Sequence, residues 1–335
     1  MPVAAIDDAF VLGEIVGQVD SIQPLAPGLY EVRVALGVET TGGEAGQLLN
    51  MLFGNSSIHE DLTLWDVEFL PDLVQRFPGP GRGLGGLREA LGARDRALTC
   101  SALKPQGLPP AGLARLAGMM ALGGIDVIKD DHGLADQSYS RFADRVPACA
   151  EAVASANTAT GGNTRYWPSL SGDLDQLRRQ VAIVRANGLD GVLVAPMILG
   201  LPSVAALVRD NPDLFFMAHP AMAGAARIAP PLLLGKLFRL LGADATVYPN
   251  YGGRFGYTAE TCKALAQAAL APWDGIRACV PVPAGGMSVE RVPELLDFYG
   301  HDIMLLIGGA LLTARDRLSE ATAAFVAAVA DHGKA

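Results

Sequence analysis

Lysine is scarce in this chain: Lys104, Lys129, Lys236, Lys263 and Lys334 are the five in 335 residues. There is no basic run and the net charge is −9, which argues against the positive footprint of a nucleic-acid binder. Cysteine is as sparse. Cys100, Cys149, Cys262 and Cys279 lie far apart with no metal-type spacing, so reduced thiols in a cytoplasmic protein are expected and a disulfide framework is not. No apolar run is long enough to span a bilayer. Residues 1–15 carry acids and lack the basic start and apolar stretch of a signal peptide. What the chain has in quantity is hydrophobic residues, half of the total, enough for one large core.

Order along the chain comes in two parts. Residues 14–22 and 29–38 read as strands; alternating Tyr30, Val32, Val34 and Leu36 suit a half-buried antiparallel pair. Residues 46–53 read as a short helix, 62–69 as a further strand, and the Pro/Gly-rich stretch 71–86 as a linker or wrapping loop. After about Ala97 short apolar strands alternate with longer helical patterns. Strands are expected at 98–103, 126–129, 165–170, 191–195, 214–218, 243–248, 277–282 and 302–307, with helices at 173–187, 231–241, 258–270, 288–299 and 312–330. Eight such repeats in the C-terminal part match an α/β fold of the (β/α)8 barrel type, with a doubly wound sheet as the alternative. The expected division is a truncated N-terminal α+β domain with linker at 1–96 and a barrel at 97–335.

In a parallel barrel the functional groups sit just past the strand ends. The richest such end is Lys129-Asp130-Asp131-His132, after the apolar Ile125 to Ile128. A lysine beside carboxylates can be held charged, or can add carbon dioxide and ligate a hard cation as a carbamate. Three coupled charges at a strand end are costly without a role. Strand alternation turns Asp130 away from its neighbours, so a structural salt bridge is expected there. His132 is open between metal ligand and loop residue. Lys104, directly after the first barrel strand, favours function; His219 taken alone is more often a hydrogen-bonded structural histidine. Gly285-Gly286 and Gly308-Gly309 follow the last two strands, where backbone N–H groups can approach a phosphate, although a single Gly-Gly pair is more often only a tight turn. Cys279 reads as a small core residue, with a proton-donating thiol as the alternative. His59, His301 and His332 read as surface or loop residues.

Taken together, Leu103-Lys104-Pro105, Gly123-Gly124-Ile125-Asp126 with Lys129-Asp130-Asp131, His219, Gly252-Gly253-Arg254, Ala284-Gly285-Gly286 and Gly308-Gly309 resemble the RuBisCO large chain from Gly17 onward. Departures from that pattern resemble the RuBisCO-like proteins and not the carboxylases. By the resemblance, Lys129 matches the carbamylated lysine, Asp131 a magnesium ligand, Lys104 the lysine that moves protons during enolisation, and His219 a substrate-binding histidine. His132 stands where the family has a glutamate ligand, so another divalent metal is possible. Gln106, Arg254, Val247 and Ala284 replace a second lysine, the loop-six lysine, a histidine and a serine; carboxylation is therefore not expected. Asn55 matches an asparagine that reaches into a neighbouring subunit, which implies a homodimer or larger homo-oligomer. The initial half of the family's N-terminal domain has no counterpart before Val11.

The resemblance implies metal-assisted enolisation of a phosphorylated small molecule. Its branches include isomerases of methylthioribulose 1-phosphate, the preferred reading, and methionine-salvage enolases of a diketo-methylthiopentyl phosphate; a sugar-acid phosphate decarboxylase is a further alternative. A different class also stays open, a catalytically silent barrel that binds a phosphometabolite.

Overall fold

The computed structural model describes residues 3–332. Its first sheet is an antiparallel hairpin of β1 (Gln18–Ala26) and β2 (Leu29–Ala35). Eight parallel strands follow: β3 (Leu98–Leu103), β4 (Val127–Asp130), β5 (Arg165–Trp167), β6 (Gly191–Val194), β7 (Phe215–Ala218), β8 (Ala245–Pro249), β9 (Val280–Ala284) and β10 (Met304–Leu306). Their spatial order is β5-β4-β3-β10-β9-β8-β7-β6. A Ser169–Leu193 bridge joins the two ends, with the Leu193 amide donating to Pro168 O and the Leu170 amide to Leu193 O, each at 2.9 Å. The sheet is thus closed, and the doubly wound alternative is excluded.

Alternation along each strand sorts the side chains into two cores. Leu98, Cys100, Val127, Trp167, Leu193, Phe215, Met217, Val247, Val282 and Met304 fill the barrel. Their neighbours Leu103, Ile128, Tyr166, Val192, Phe216 and Leu305 face the surrounding helices. Gly191 lacks a Cβ for a local reason: one there would collide with the Trp167 indole.

Three expectations need correction. Residues 71–86 are not a loose linker, because Leu73 and Val74 are buried and Gly83 begins the helix Gly83–Leu91, whose Leu87 and Leu91 plug the lower end of the barrel. Asp244 anchors that helix by accepting from the Arg82 and Gly83 amides at 2.9 and 2.6 Å. Residues 62–69 contain no strand; the Leu64 amide donates to Arg227 O at 3.0 Å and the segment lies along a barrel loop. The hairpin pairs as expected but is not half-buried: Val19, Ile22, Tyr30, Val32 and Val34 are all exposed, since no layer among the described residues covers them. Smaller shifts occur at element ends. The strand expected at 277–282 is β9, three residues later, and Pro231–Leu237 is a π-helix running into Phe238–Leu240.

Candidate active site

With the lower end plugged, the barrel is open at the carboxyl ends of its strands. Lys104 follows β3 on the inward parity of Leu98, Cys100 and Ala102. Lys129 shares the inward parity of Val127, paired across the sheet with Ala102 and Trp167. Asp131 continues that parity, and His219 continues that of Phe215 and Met217.

Lys129 is 3 % exposed. Its Nζ donates to Asp130 O at 3.0 Å, and burial, reinforced by Lys104, lowers its pKa despite Cys100, Asp131 and Asp130 nearby. Burial favours the neutral amine, the form that can add carbon dioxide. Above it, Asp131 Oδ1 lies 3.2 Å from Lys104 Nζ and 3.6 Å from His132 Nδ1. Burial opposes ionisation of Asp131, but the adjacent His132 ring and the charges of Lys104 and Lys129 outweigh it and hold the carboxyl well below its usual range. The His132 and His219 rings stack with centroids 4.1 Å apart and planes 9° from parallel. Burial, with Lys129 and His132 nearby, pushes the His219 pKa down to about 2. Its Nδ1 accepts from the Ala221 amide at 3.1 Å, which leaves the ring hydrogen on Nε2. Gln106 completes the wall beside Gly133, where any Cβ would collide with it.

Asp130 faces the other way. It accepts from Arg145 Nε at 3.1 Å, Tyr166 Oη at 2.8 Å and the Ser169 amide at 3.1 Å. Both members of the ion pair are 0 % exposed. This is the structural salt bridge expected from alternation. Arg145 escaped sequence reading because it sits fifteen residues downstream, on the helix Phe142–Thr160, with no local signal of its partner.

The phosphate-type turns share the same rim. Gly285 and Gly286 have φ of 88° and 65°, and a Cβ on Gly286 would lie 2.6 Å from Gly253 Cα. The loops after β8 and β9 therefore touch backbone to backbone. Arg254, in the first of them, is exposed with its guanidinium over Phe255. Gly308 and Gly309 follow β10 and open the short helix Gly309–Leu312. Asn55 is exposed beyond the helix Ala45–Phe53, and no hydrogen bond or ion pair links it to the rim cluster among the described residues. Cys279 lies in the outer core before β9, its thiol pushed up by burial, so a proton-donor role is set aside. His301, His332 and Asp297 form a hydrogen-bonded chain of 3.0 and 3.1 Å, where the sequence had His301 and His332 as surface or loop residues.

A divalent cation would find here the Asp131 carboxylate, the His132 imidazole and the Lys129 nitrogen. Among the described residues no group of three or more His, Cys, Asp or Glu forms a metal cluster. A second anionic oxygen appears only when Lys129 carries a carbamate. The donor set then fits a hard or borderline divalent cation with two anionic oxygens and one nitrogen.

Residues 83–329 match the family described as ribulose bisphosphate carboxylase large chain, catalytic domain. A protein named 5-methylthioribulose-1-phosphate isomerase, from Rhodospirillum rubrum, is 60 % identical over 331 residues, 98 % of this chain and 88 % of its own length. The chain belongs to the RuBisCO-like branch of this family. A crystal structure of a Rubisco-like protein from Rhodopseudomonas palustris superposes with a TM-score of 0.93 at 54 % identity, covering 99 % of this chain and 90 % of that one. A 2,3-diketo-5-methylthiopentyl-1-phosphate enolase from Geobacillus thermodenitrificans is 32 % identical over 84 % of this chain and 70 % of its own. Relatives of this RuBisCO-like protein thus carry both isomerase and enolase names. No described helix is long and apolar enough to cross a membrane.

Proposed function

We propose that this RuBisCO-like protein enolises a phosphorylated ketose and acts as an isomerase of the 5-methylthioribulose 1-phosphate type, not as a carboxylase. The observation that carries the reading is the inward cluster of Lys104, Lys129, Asp131 and His219 at the open end of the barrel. The 60 % identical relative with an isomerase name supports the choice of reaction. Asp131, His132 and carbamylated Lys129 would hold a divalent cation, magnesium or a softer ion, which would supply Lewis-acid chemistry for enolisation.

The chain's own residues do the rest. Lys104 is the accessible amine of the rim, with its side chain 42 % exposed and Asp131 holding it by its Nζ; it exchanges a proton between substrate carbon and solvent. As the C–H pair becomes the new C=C bond, the former carbonyl oxygen gains negative charge, and returning the proton to a different carbon yields an isomer. His219, neutral and with hydrogen on Nε2, donates to a substrate hydroxyl without adding a competing positive charge. The Gly285-Gly286 and Gly308-Gly309 turns, with Arg254, hold the phosphate. We also infer that residues 1–96 act as an N-terminal domain with its connection to the barrel, and 97–335 as the catalytic barrel. By the same reading the protein works as a homodimer or larger homo-oligomer, with Asn55 entering the neighbour's site; a fully active monomer in sedimentation would refute this.

The test is proton NMR in heavy water with methylthioribulose 1-phosphate, magnesium and bicarbonate. Deuterium uptake with a new pentulose phosphate is expected. Exchange without product would favour the enolase or another sugar phosphate, and neither exchange nor product would favour a binding protein or an unrelated substrate.

A further inference from the structure

The turn after β9 has a side-chain anchor. Gly285 and Gly286 both lie in the left-handed region, where two glycines in succession restrain the backbone little by themselves. Arg291, which ends the short 3-10 turn Val289–Arg291, donates from Nη1 to Gly286 O at 2.8 Å. No other hydrogen bond among the described residues involves Gly286. The guanidinium is itself fixed: Nε and Nη2 donate to the two Glu294 oxygens at 3.0 and 2.9 Å, a fork that leaves Nη1 for the carbonyl. Tyr251, in the loop after β8, donates its Oη to Glu294 Oε1 at 2.8 Å. The helix Val292–Tyr299 holds that loop at a second point, where Tyr299 Oη donates to Asn250 Oδ1 at 2.7 Å. Both loops are thus referenced to the start of one helix.

Stability does not explain this arrangement. The Arg291 and Glu294 side chains are 25 % and 51 % exposed, and a solvated pair of this kind contributes little. Arg291 and Tyr251 hold the Glu294 carboxyl down to about 2, so the fork stays charged at every working pH. What the fork controls is direction. A trans peptide sets its C=O and N–H antiparallel, so anchoring Gly286 O turns the Met287 amide away from the guanidinium. Among the described residues that amide has no hydrogen-bond partner.

We propose that Arg291 is a positioning residue for phosphate binding: bridged to Tyr251 through Glu294, it keeps the Gly286 carbonyl turned away from the phosphate and the Met287 amide turned toward it. Freed from Arg291, this peptide can flip, and a flip presents a carbonyl oxygen to the anion in place of an N–H donor. Arg291 acts through the backbone and does not touch the phosphate. The assignment rests on the reading of Gly285-Gly286 as a phosphate turn and names the residues that aim it.

The experiment measures the Kd of inorganic phosphate by calorimetry, and KM and kcat for 5-methylthioribulose 1-phosphate, in wild type and three variants. Arg291→Met should raise Kd and KM about tenfold, the scale of one lost charge-assisted hydrogen bond, and leave kcat within about twofold, the signature of lost uniform binding. Arg291→Lys should recover most of the loss, because an ammonium can still donate to Gly286 O. Glu294→Gln separates positioning from direct contact by sign. It should weaken phosphate binding about threefold by loosening the fork, whereas a direct ligand relieved of its carboxylate would bind phosphate more tightly. Neither Kd nor KM depends on the folded fraction, so poor folding cannot imitate these results. Tighter binding by Glu294→Gln, or an unchanged Kd in Arg291→Met, would overturn the positioning role. A wild type that binds no phosphate would overturn the phosphate turn and the proposal with it; the expected Kd pattern without turnover would uphold the positioning role and overturn only the enolisation reading.

Discussion

Lys129 and Asp130 are adjacent on one strand and meet opposite surroundings. The inner face of β4 presents a buried amine to Asp131, Lys104 and the stacked pair His132 and His219, with Lys104 and His132 partly exposed to solvent. The outer face buries a carboxylate against Arg145, Tyr166 and a backbone amide. One face keeps its charges unsettled and able to exchange partners, and the other locks them. On the proposed reading a single peptide step separates chemistry from scaffold, and the two roles can be dissected by substitutions that leave the barrel in place.

The largest effect should follow Lys129→Met. Enolisation should fall by about a thousandfold, within the range for a lost acid–base or ligand group. Stability should hold or rise, because an apolar side chain replaces a buried amine. The sign is set by the lowered pKa: between its folded and unfolded values the unfolded chain binds more protons, so this lysine's contribution worsens as pH falls through that window. Urea titration at pH 7.5 and 9 checks both statements. Arg145→Met should do the reverse, costing about 3–5 kcal/mol by stranding a buried carboxylate while the folded fraction turns over within a fewfold of wild type.

A smaller, more selective loss is expected for Asp131→Asn. Turnover should drop about a hundredfold, and the half-saturating concentration of divalent cation should rise, read from metal titrations of the exchange rate. The gentlest probe is pH. His219 has its folded pKa pushed down to about 2, so between there and about 6.5 the unfolded state binds the extra proton. Wild-type stability should fall as pH is lowered through that window, by at most about 2 kcal/mol between pH 7.5 and 5 from this residue. His219→Asn should flatten that part of the profile in calorimetry; an unchanged slope would mean that the ring is solvated.

The inner face was legible in the sequence because its chemistry is consecutive: an apolar strand ending in Lys129, Asp130, Asp131 and His132 announces a barrel rim, and the period of two turns Asp130 outward. Spacing of eight apolar strands gave the barrel for the same reason. Arg145 was not legible, since its partner is chosen by helix-on-sheet packing. Residues 71–86 misled because Pro and Gly mark turns whether the side chains between them face solvent or are buried, as Leu73 and Val74 are in the outer core. The hairpin misled in the opposite direction. Alternating Tyr30, Val32 and Val34 define a face, but nothing in the period says whether this chain covers it, and it does not.

The most direct measurement is deuterium incorporation into methylthioribulose 1-phosphate, followed by NMR in heavy water with magnesium and bicarbonate, for wild type, Lys129→Met and Arg145→Met under conditions where each is folded. Exchange by the wild type and by Arg145→Met, with none by Lys129→Met, is the predicted result. Exchange by Lys129→Met at the wild-type rate, or none by folded wild type, would contradict the assignment of enolisation to the inner face of this strand.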